Sequence, residues 1–258
     1  MRLFKSLFGD KPDDSGPALF TARTKPARPL YVIGDVHGRY DLLTRMLDRL
    51  ADDREADSDL VFVGDLVDRG DDTASVLATV KDIVQDPSQN AFCLKGNHEA
   101  MLLEFLDDPT GQGRRWVRFG GLETLWSFDI RQVTDRSEDD VLIAARDVLA
   151  ETIPQETQDW MRNLPLKFDS GNITVVHAAA DPDKPMDQQL TKVLMWGHDR
   201  FDKTFRKDGR WVIHGHTITE EPYAFSGRIN VDTGAYASGV LTCVKVVTDD
   251  VEFISVGA

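Results

Sequence analysis

Three apolar runs early in the chain stop near a glycine and lead at once into acids, amides and imidazoles. Tyr31-Val32-Ile33-Gly34 runs into Asp35-Val36-His37-Gly38. Leu60-Val61-Phe62-Val63-Gly64 runs into Asp65-Leu66-Val67-Asp68-Arg69-Gly70. Ala91-Phe92-Cys93-Leu94 runs into Lys95-Gly96-Asn97-His98-Glu99. A strand ending in a tight loop leaves such groups at its C-terminal tip, where ligands of open α/β sheets sit. Of the six histidines, His37, His98, His177, His214 and His216 follow strand-like runs, and only His198 lies in a less regular stretch. A lone histidine is more often structural than a ligand. Five at strand ends, together with Asp35, Asp65 and Asn97, point to metal. Oxygen and imidazole donors without thiolate suit Mn, Fe, Zn, Ni or Co rather than a closed structural zinc site. Asp35 and His37 share one loop and so one cation. Asp65 has two carboxylate oxygens and can span two cations about 3.5–4 Å apart. Asn97 offers an amide oxygen, and His177 and His216 offer nitrogens.

In order along the chain, GDVHG, GDLVDRG, GNHE, VVHA and GHT resemble the motifs of the calcineurin-like metallophosphoesterase superfamily. More closely, the chain resembles bacterial and phage serine/threonine protein phosphatases and the related symmetrical diadenosine tetraphosphatases, and the resemblance runs from about Leu30 to Val247. It implies a four-layer α/β/β/α sandwich and two divalent ions, with manganese the first choice. By that resemblance Asp35 and His37 bind one ion, Asp65 bridges, and Asn97, His177 and His216 bind the other. His214 is then a group behind the ligands or a buried histidine. A water acidified between two cations supplies the attacking hydroxide. His98 protonates the leaving group, Asp68 orients His98, and Arg69 grips a phosphoryl oxygen. The plainer reading of Asp68 and Arg69 is an ion pair stabilising a surface turn. Two positions depart from the family pattern. Lys95 stands where an arginine commonly precedes GNHE, and His198 occupies the third place of a W-x-R stretch, Trp196-Gly197-His198. Lys95, Arg200 or His198 itself would then have to assist Arg69 on the phosphate. Asp232-Thr233-Gly234-Ala235 resembles a scaffold turn of the same families.

The substrate implied is a phosphorylated protein. The alternative is a dinucleoside polyphosphate or another small phosphoester, with Trp116, Phe119, Trp126 and Phe128 as a base pocket. A non-catalytic metal- or phosphate-binding module is the remaining reading, but it predicts the loss of a ligand position or of His98, and none is lost.

These groups need elements to hold them. Strands are expected at about 30–34, 60–64 and 91–95. Helices are expected over 40–50 and 73–84 and from near His98, each with apolar residues at helical spacing. Alternating β and α units of this length predict a mostly parallel sheet. Residues 110–163 read as a helical insertion, either shaping a substrate pocket or covering one sheet face. The last third is β-rich, with strand-like runs at 166–168, 173–176, 211–213, 228–231, 240–247 and 251–256 and a hairpin at Asp249-Asp250. Two sheets packed face to face with helices outside accommodate both halves.

The domain is expected over 30–258. Residues 1–29 form an amphipathic start, Met1 to Phe8, and a proline-dotted mobile linker. The start is a weak membrane or partner contact, or else a frayed terminus. The net charge of −14 argues against a nucleic-acid polymer as partner. No apolar run approaches the roughly 20 residues of a membrane span. Cys93 and Cys243 read as buried small hydrophobes, and a cytoplasmic location is the expectation.

Overall fold

The computed structural model describes residues 20–257, so the amphipathic start lies outside the described residues. Ten strands form two five-stranded sheets. The first has the order β10-β9-β1-β2-β3 and the second β4-β5-β6-β8-β7. In sheet one, β1 (Leu30–Ile33), β2 (Asp59–Phe62) and β3 (Ala91–Cys93) are parallel. The hairpin of β9 (Val240–Val247) and β10 (Asp250–Gly257) adds to β1 antiparallel, turning at Asp249 with φ 65°. In sheet two, β5 (Ile173–Val176), β6 (Trp211–His214) and β8 (Arg228–Asn230) are parallel, and β4 (Lys167–Ser170) and β7 (Tyr223–Phe225) flank them antiparallel. The parallel strands of each sheet thus send their C-terminal ends to one edge. β7 was not expected; only Tyr223 and Phe225 mark it, too short a run to show alternation.

Period-two alternation divides the core. Leu30, Val32, Val61 and Val63 face sheet two and pack on Ile173, Val175, Ile213 and Ile229. Their neighbours Tyr31, Ile33, Leu60 and Phe62 face the helices. Those helices are α1 (Tyr40–Asp53), α2 (Thr73–Gln85) and α3 (Asn97–Asp107). Leu42, Leu43, Met46 and Leu50 give α1 its buried stripe. Asp72 starts α2 by accepting the Ser75 N–H at 3.0 Å.

The expected helical insertion contains α4 (Arg114–Trp116), a wide turn over Val117–Gly121, α5 (Leu122–Ser127), α6 (Asp139–Thr152) and α7 (Gln155–Arg162). Trp116, Leu125, Leu142, Leu149 and Met161 share the core of α1–α3, so these segments do cover a sheet face. On the outer side of sheet two, Val176 and Val212 pack under α8 (Thr191–Trp196), Met186 and Phe201. The order is therefore helices, sheet, sheet, helix, with α9 (Ala235–Ser238) leading into β9.

Residues 20–29 differ from the mobile linker expected. Phe20 meets the Trp211 ring edge-on at 5.2 Å, Thr24 donates to Val247 O, and Lys25 N donates to Asn172 Oδ1 at 2.7 Å. The β4–β5 turn offers side-chain partners that satisfy this backbone, which the composition of the linker alone does not reveal.

Candidate active site

The loops after β1, β2 and β3 interlock. Val36 N and His37 N both donate to Asp65 O, at 3.1 and 2.9 Å, and Gly38 N donates to Leu66 O. Glu99, buried in the first turn of α3, accepts N–H groups from Gly96, Asp65 and Leu66 at 2.7–2.9 Å. One carboxylate therefore fixes the third loop against the second. Close approach is obligatory here, since a Cβ on Gly96 would stand 2.1 Å from Asp65 Oδ1 and one on Gly215 1.9 Å from Asp35 Oδ1. His37, Asp65, Asp68, Arg69 and His216 all hold positive φ, from 45° to 75°. Each costs on the order of 1 kcal/mol, and the interlocked hydrogen bonds hold the loops in place against that strain.

Asp65, 1 % exposed, stands at the middle. Two groups of candidate ligands share it: His37, Asp65 and His98, and Asp65, His177 and His216. Within each group the ligand atoms all lie within 4.8 Å of one another. Asp65 Oδ2 lies 3.6 Å from His37 Nε2 and 3.4 Å from His177 Nε2. Backbone carbonyls aim both rings. His37 Nδ1 donates to Val67 O at 2.7 Å and His177 Nδ1 to Val63 O at 3.0 Å, leaving each Nε2 toward Asp65. Asn97 Oδ1 lies 2.9 Å from His177 Nε2, nearer than Asp65 does. Asp35 belongs to neither three-residue group. Its carboxylate accepts the His216 N–H at 3.1 and 3.2 Å and so ties the first loop to the GHT loop.

The electrostatics suit cations. Burial lowers His37 to about 3, partly opposed by Asp65, and burial with the charge of His177 lowers His216 to about 4, so both present neutral imidazoles. Burial would lower His177 too, but Asp65 outweighs it and raises it to about 10. The proton on His177 Nε2 occupies a position for which a divalent cation would compete. Burial raises Asp65, and His177 and His98 more than reverse that, holding it well below the usual carboxylate range. Asp35 is raised by burial and by Asp232. The imidazoles of His37, His177 and His216 and the Asn97 amide oxygen, gathered about one buried aspartate, fit divalent cations.

His98, a member of the first group, also forms a buried pair with Asp68. His98 Nδ1 donates to Asp68 Oδ2 at 2.6 Å. Asp68 also accepts Trp116 Nε1 at 2.8 and 2.9 Å and Thr124 Oγ1 at 2.7 Å. It is 0 % exposed, which removes the surface-turn reading. Burial opposes the His98 proton, but Asp65 and Asp68 together hold its pKa above the usual value. The insertion is thus more than a cover, because Trp116 and Thr124 complete the Asp68 environment. Arg69 NH1 donates to His37 Nε2 at 3.1 Å, and its guanidinium lies 4.6 Å over the Tyr236 ring.

Of the other expected phosphate ligands, Lys95 and Arg200 are tied elsewhere. Lys95 Nζ donates to Arg162 O at 2.5 Å. His198 Nε2 lies 3.8 Å from Asp181 Oδ2, and Arg200 pairs with Asp183. Of the four aromatics considered for a base pocket, Trp116 is fully buried against Phe105, and Phe128 packs on the core. Phe119 and Trp126 are exposed. His214 is buried at the end of β6, with Nδ1 3.0 Å from Gly215 O and its edge on Phe201, and it belongs to neither ligand group. Cys93 and Cys243 are buried and unpaired, as expected. A 620 Å³ cavity lined by Leu50, Arg54 and Leu60 lies at the other end of β2, away from this chemistry.

Glu99, Thr124 and Tyr236 were not singled out in the sequence. A glutamate three residues after the glycine that precedes a helix is a capping signal, and that would have found Glu99.

The calcineurin-like phosphoesterase family model matches residues 28–220. The chain belongs to the calcineurin-like phosphoesterase family. It is therefore a hydrolase of phosphoester bonds. It is 29 % identical over 231 residues to serine/threonine-protein phosphatase 2 of Escherichia coli (strain K12), covering 85 % of this chain and 93 % of that protein. It is 27 % identical over 248 residues to an asymmetrical bis(5'-nucleosyl)-tetraphosphatase of Halalkalibacterium halodurans, covering 87 % and 92 %. A solved cold-active protein-tyrosine phosphatase of a psychrophilic Shewanella superposes with TM-score 0.56 at 18 % identity, over 88 % of this chain and 80 % of that one, and shares the fold.

Proposed function

We propose that this phosphoesterase hydrolyses phosphomonoesters, with phosphoserine and phosphothreonine of proteins as the substrate class. Asp35, His37 and Asp65 would hold one divalent cation, and Asp65, Asn97, His177 and His216 a second. Oxygen and nitrogen donors with no thiolate suit Mn, Fe, Zn, Ni or Co, and among these manganese is our choice, on the resemblance given above. Such cations acidify a water to supply the nucleophile and draw charge from the phosphoryl oxygens. The remaining work falls to side chains. Arg69, propped on Tyr236, positions a phosphoryl oxygen. His98 gives its proton to the leaving oxygen, and Asp68 keeps that imidazole charged and aimed.

The observation that supports this reading is that His98, though near enough to Asp65 to count among its candidate ligands, has its Nδ1 bound to the buried Asp68, while His37, His177 and His216 gather about Asp65. A proton donor there serves a poor leaving group such as a serine alkoxide. Dinucleoside polyphosphates are the second reading, favoured by the exposed rings of Phe119 and Trp126. The 400 Å³ cavity beside Lys95 lends it no support, being lined by Leu103, Leu164, Leu166 and Met195 with no aromatic ring. Among the described residues no helix is long and apolar enough to cross a membrane. The two buried free thiols support the cytoplasm as the proposed compartment. The test is a panel of phosphopeptide, diadenosine tetraphosphate, p-nitrophenyl phosphate and bis-p-nitrophenyl phosphate on manganese-loaded protein. We expect turnover of the phosphopeptide and of p-nitrophenyl phosphate to dominate. A clear preference for diadenosine tetraphosphate overturns the assignment.

A further inference from the structure

Arg115 of α4 lies with its guanidinium carbon 5.1 Å from the Phe119 ring centre and 5.0 Å from that of Trp196. One ring comes from the turn after α4 and the other from the end of α8, so Arg115 spans two separate walls. The turn is fastened to the catalytic loop. Gly120 O accepts the Arg69 N–H at 3.0 Å, and a Cβ on Gly120 would stand 2.6 Å from Arg69 Cγ. Phe119, one residue earlier, is 47 % exposed, and Arg115 is exposed as well. Arg115 is therefore an exposed cation stacked on the turn that is fastened to Arg69.

Stacking on rings engages the face of a guanidinium. Its N–H donors lie in the plane and remain available for a carboxylate or phosphate. Among the described residues no carboxylate pairs with Arg115 or with its neighbour Arg118. Arg114, Arg162 and Arg200 are committed to Asp139, Asp107 and Asp183. On a chain of net charge −14, uncommitted cations beside the site are where an anionic substrate finds attraction. The rings also restrain the side chain, which reduces the ordering cost of using it.

We propose that Arg115, held on Phe119 and Trp196, is a specificity-determining residue that reads a second anionic group of the substrate, beside the phosphoryl group under attack. This rests on the phosphomonoesterase reading above. The group is the carboxylate of an acidic residue flanking the phosphorylated one, or a further phosphate of a small substrate. Two comparisons test it on manganese-loaded full-length protein. The first is kcat/KM for phosphopeptides with glutamate against alanine next to the phosphoserine. The second is inhibition of p-nitrophenyl phosphate hydrolysis by ADP against AMP. Each is run on the wild type, Arg115→Met, Arg115→Lys and, as a control, Arg136→Met.

The wild type should prefer the acidic peptide by about tenfold through KM, the worth of one charge-assisted contact. Arg115→Met should bring that ratio close to one, Arg115→Lys should restore part of it, and Arg136→Met should leave it alone. A peptide ratio that falls in Arg115→Met supports the proposal with a protein substrate. If phosphopeptides are not turned over and only the ADP/AMP ratio falls, the protein-phosphatase reading fails while Arg115 keeps its role with a polyphosphate. If neither ratio differs between wild type and Arg115→Met, the proposal is overturned.

Discussion

Replacing Asp68 by asparagine isolates proton delivery from metal binding. The native carboxylate accepts three donors, from His98, Trp116 and Thr124, at 2.6–2.9 Å with no solvent exposure. Asparagine has one oxygen for them and must turn its NH2 toward another donor. Losing a charge-assisted bond in so dry a place costs on the order of 1.5–3 kcal/mol. The effect on His98 has a definite sign. Burial lowers its pKa, and Asp65 and Asp68 hold it above the usual value. Without the Asp68 charge the pKa falls, so the imidazolium is depleted at lower pH and the basic limb of the kcat profile moves down. The loss should also depend on the leaving group. Phenyl phosphate or a phosphoserine peptide should lose about 100-fold in kcat, about 2.7 kcal/mol of barrier. p-Nitrophenyl phosphate, whose phenolate departs without a proton, should lose less than about tenfold. Equal losses on both substrates, with the basic limb unmoved, would refute His98 as the acid.

Four further outcomes follow from the same geometry. Glu99→Gln leaves N–H donors of three loop residues facing an amide; thermal unfolding should show a loss of about 3 kcal/mol, a Tm drop of roughly 6–12 °C. Trp116→Phe keeps a ring against Phe105 but removes the N–H on Asp68; it should repeat the leaving-group dependence of Asp68→Asn on a smaller scale, and a uniform effect would argue for packing alone. Because the folded His98 pKa is raised, its pairing with Asp68 stabilises the fold fully below the unfolded value and fades as pH rises through the folded one; in denaturant titrations of the metal-free protein, the stability gap between wild type and Asp68→Asn should narrow with rising pH. Phe20→Ala removes the ring packed on Trp211 and should cost about 1–2 kcal/mol with kcat unchanged.

The fold was legible where one face of an element is buried. Leu42, Leu43, Met46 and Leu50 announce α1, and the apolar runs before Asp35 and Asp65 announce β1 and β2, because burial forces periodicity on those segments. Asp65, His177 and His216 were legible as candidate ligands because acids and imidazoles right after buried strands have few other uses. What stayed hidden depends on tertiary partners. Nothing in its own stretch says that Trp116 spends its N–H on Asp68 and is lost to any base pocket. Nor does the sequence reveal that Lys95 turns to the Arg162 carbonyl and Arg200 to Asp183. Residues 20–29 look like a linker because their partners, Asn172, Ser170 and Trp211, lie far along the chain.

Asp65 is proposed to be shared by two cation sites. Metal content settles it most directly, measured by elemental analysis of protein dialysed against manganese, with a parallel calorimetric titration. The wild type should hold two ions per chain, and Asp65→Asn should hold at most one, with weakened affinity and little residual activity. A wild type that saturates at one ion, or an Asp65→Asn variant that keeps two at undiminished affinity, would contradict it.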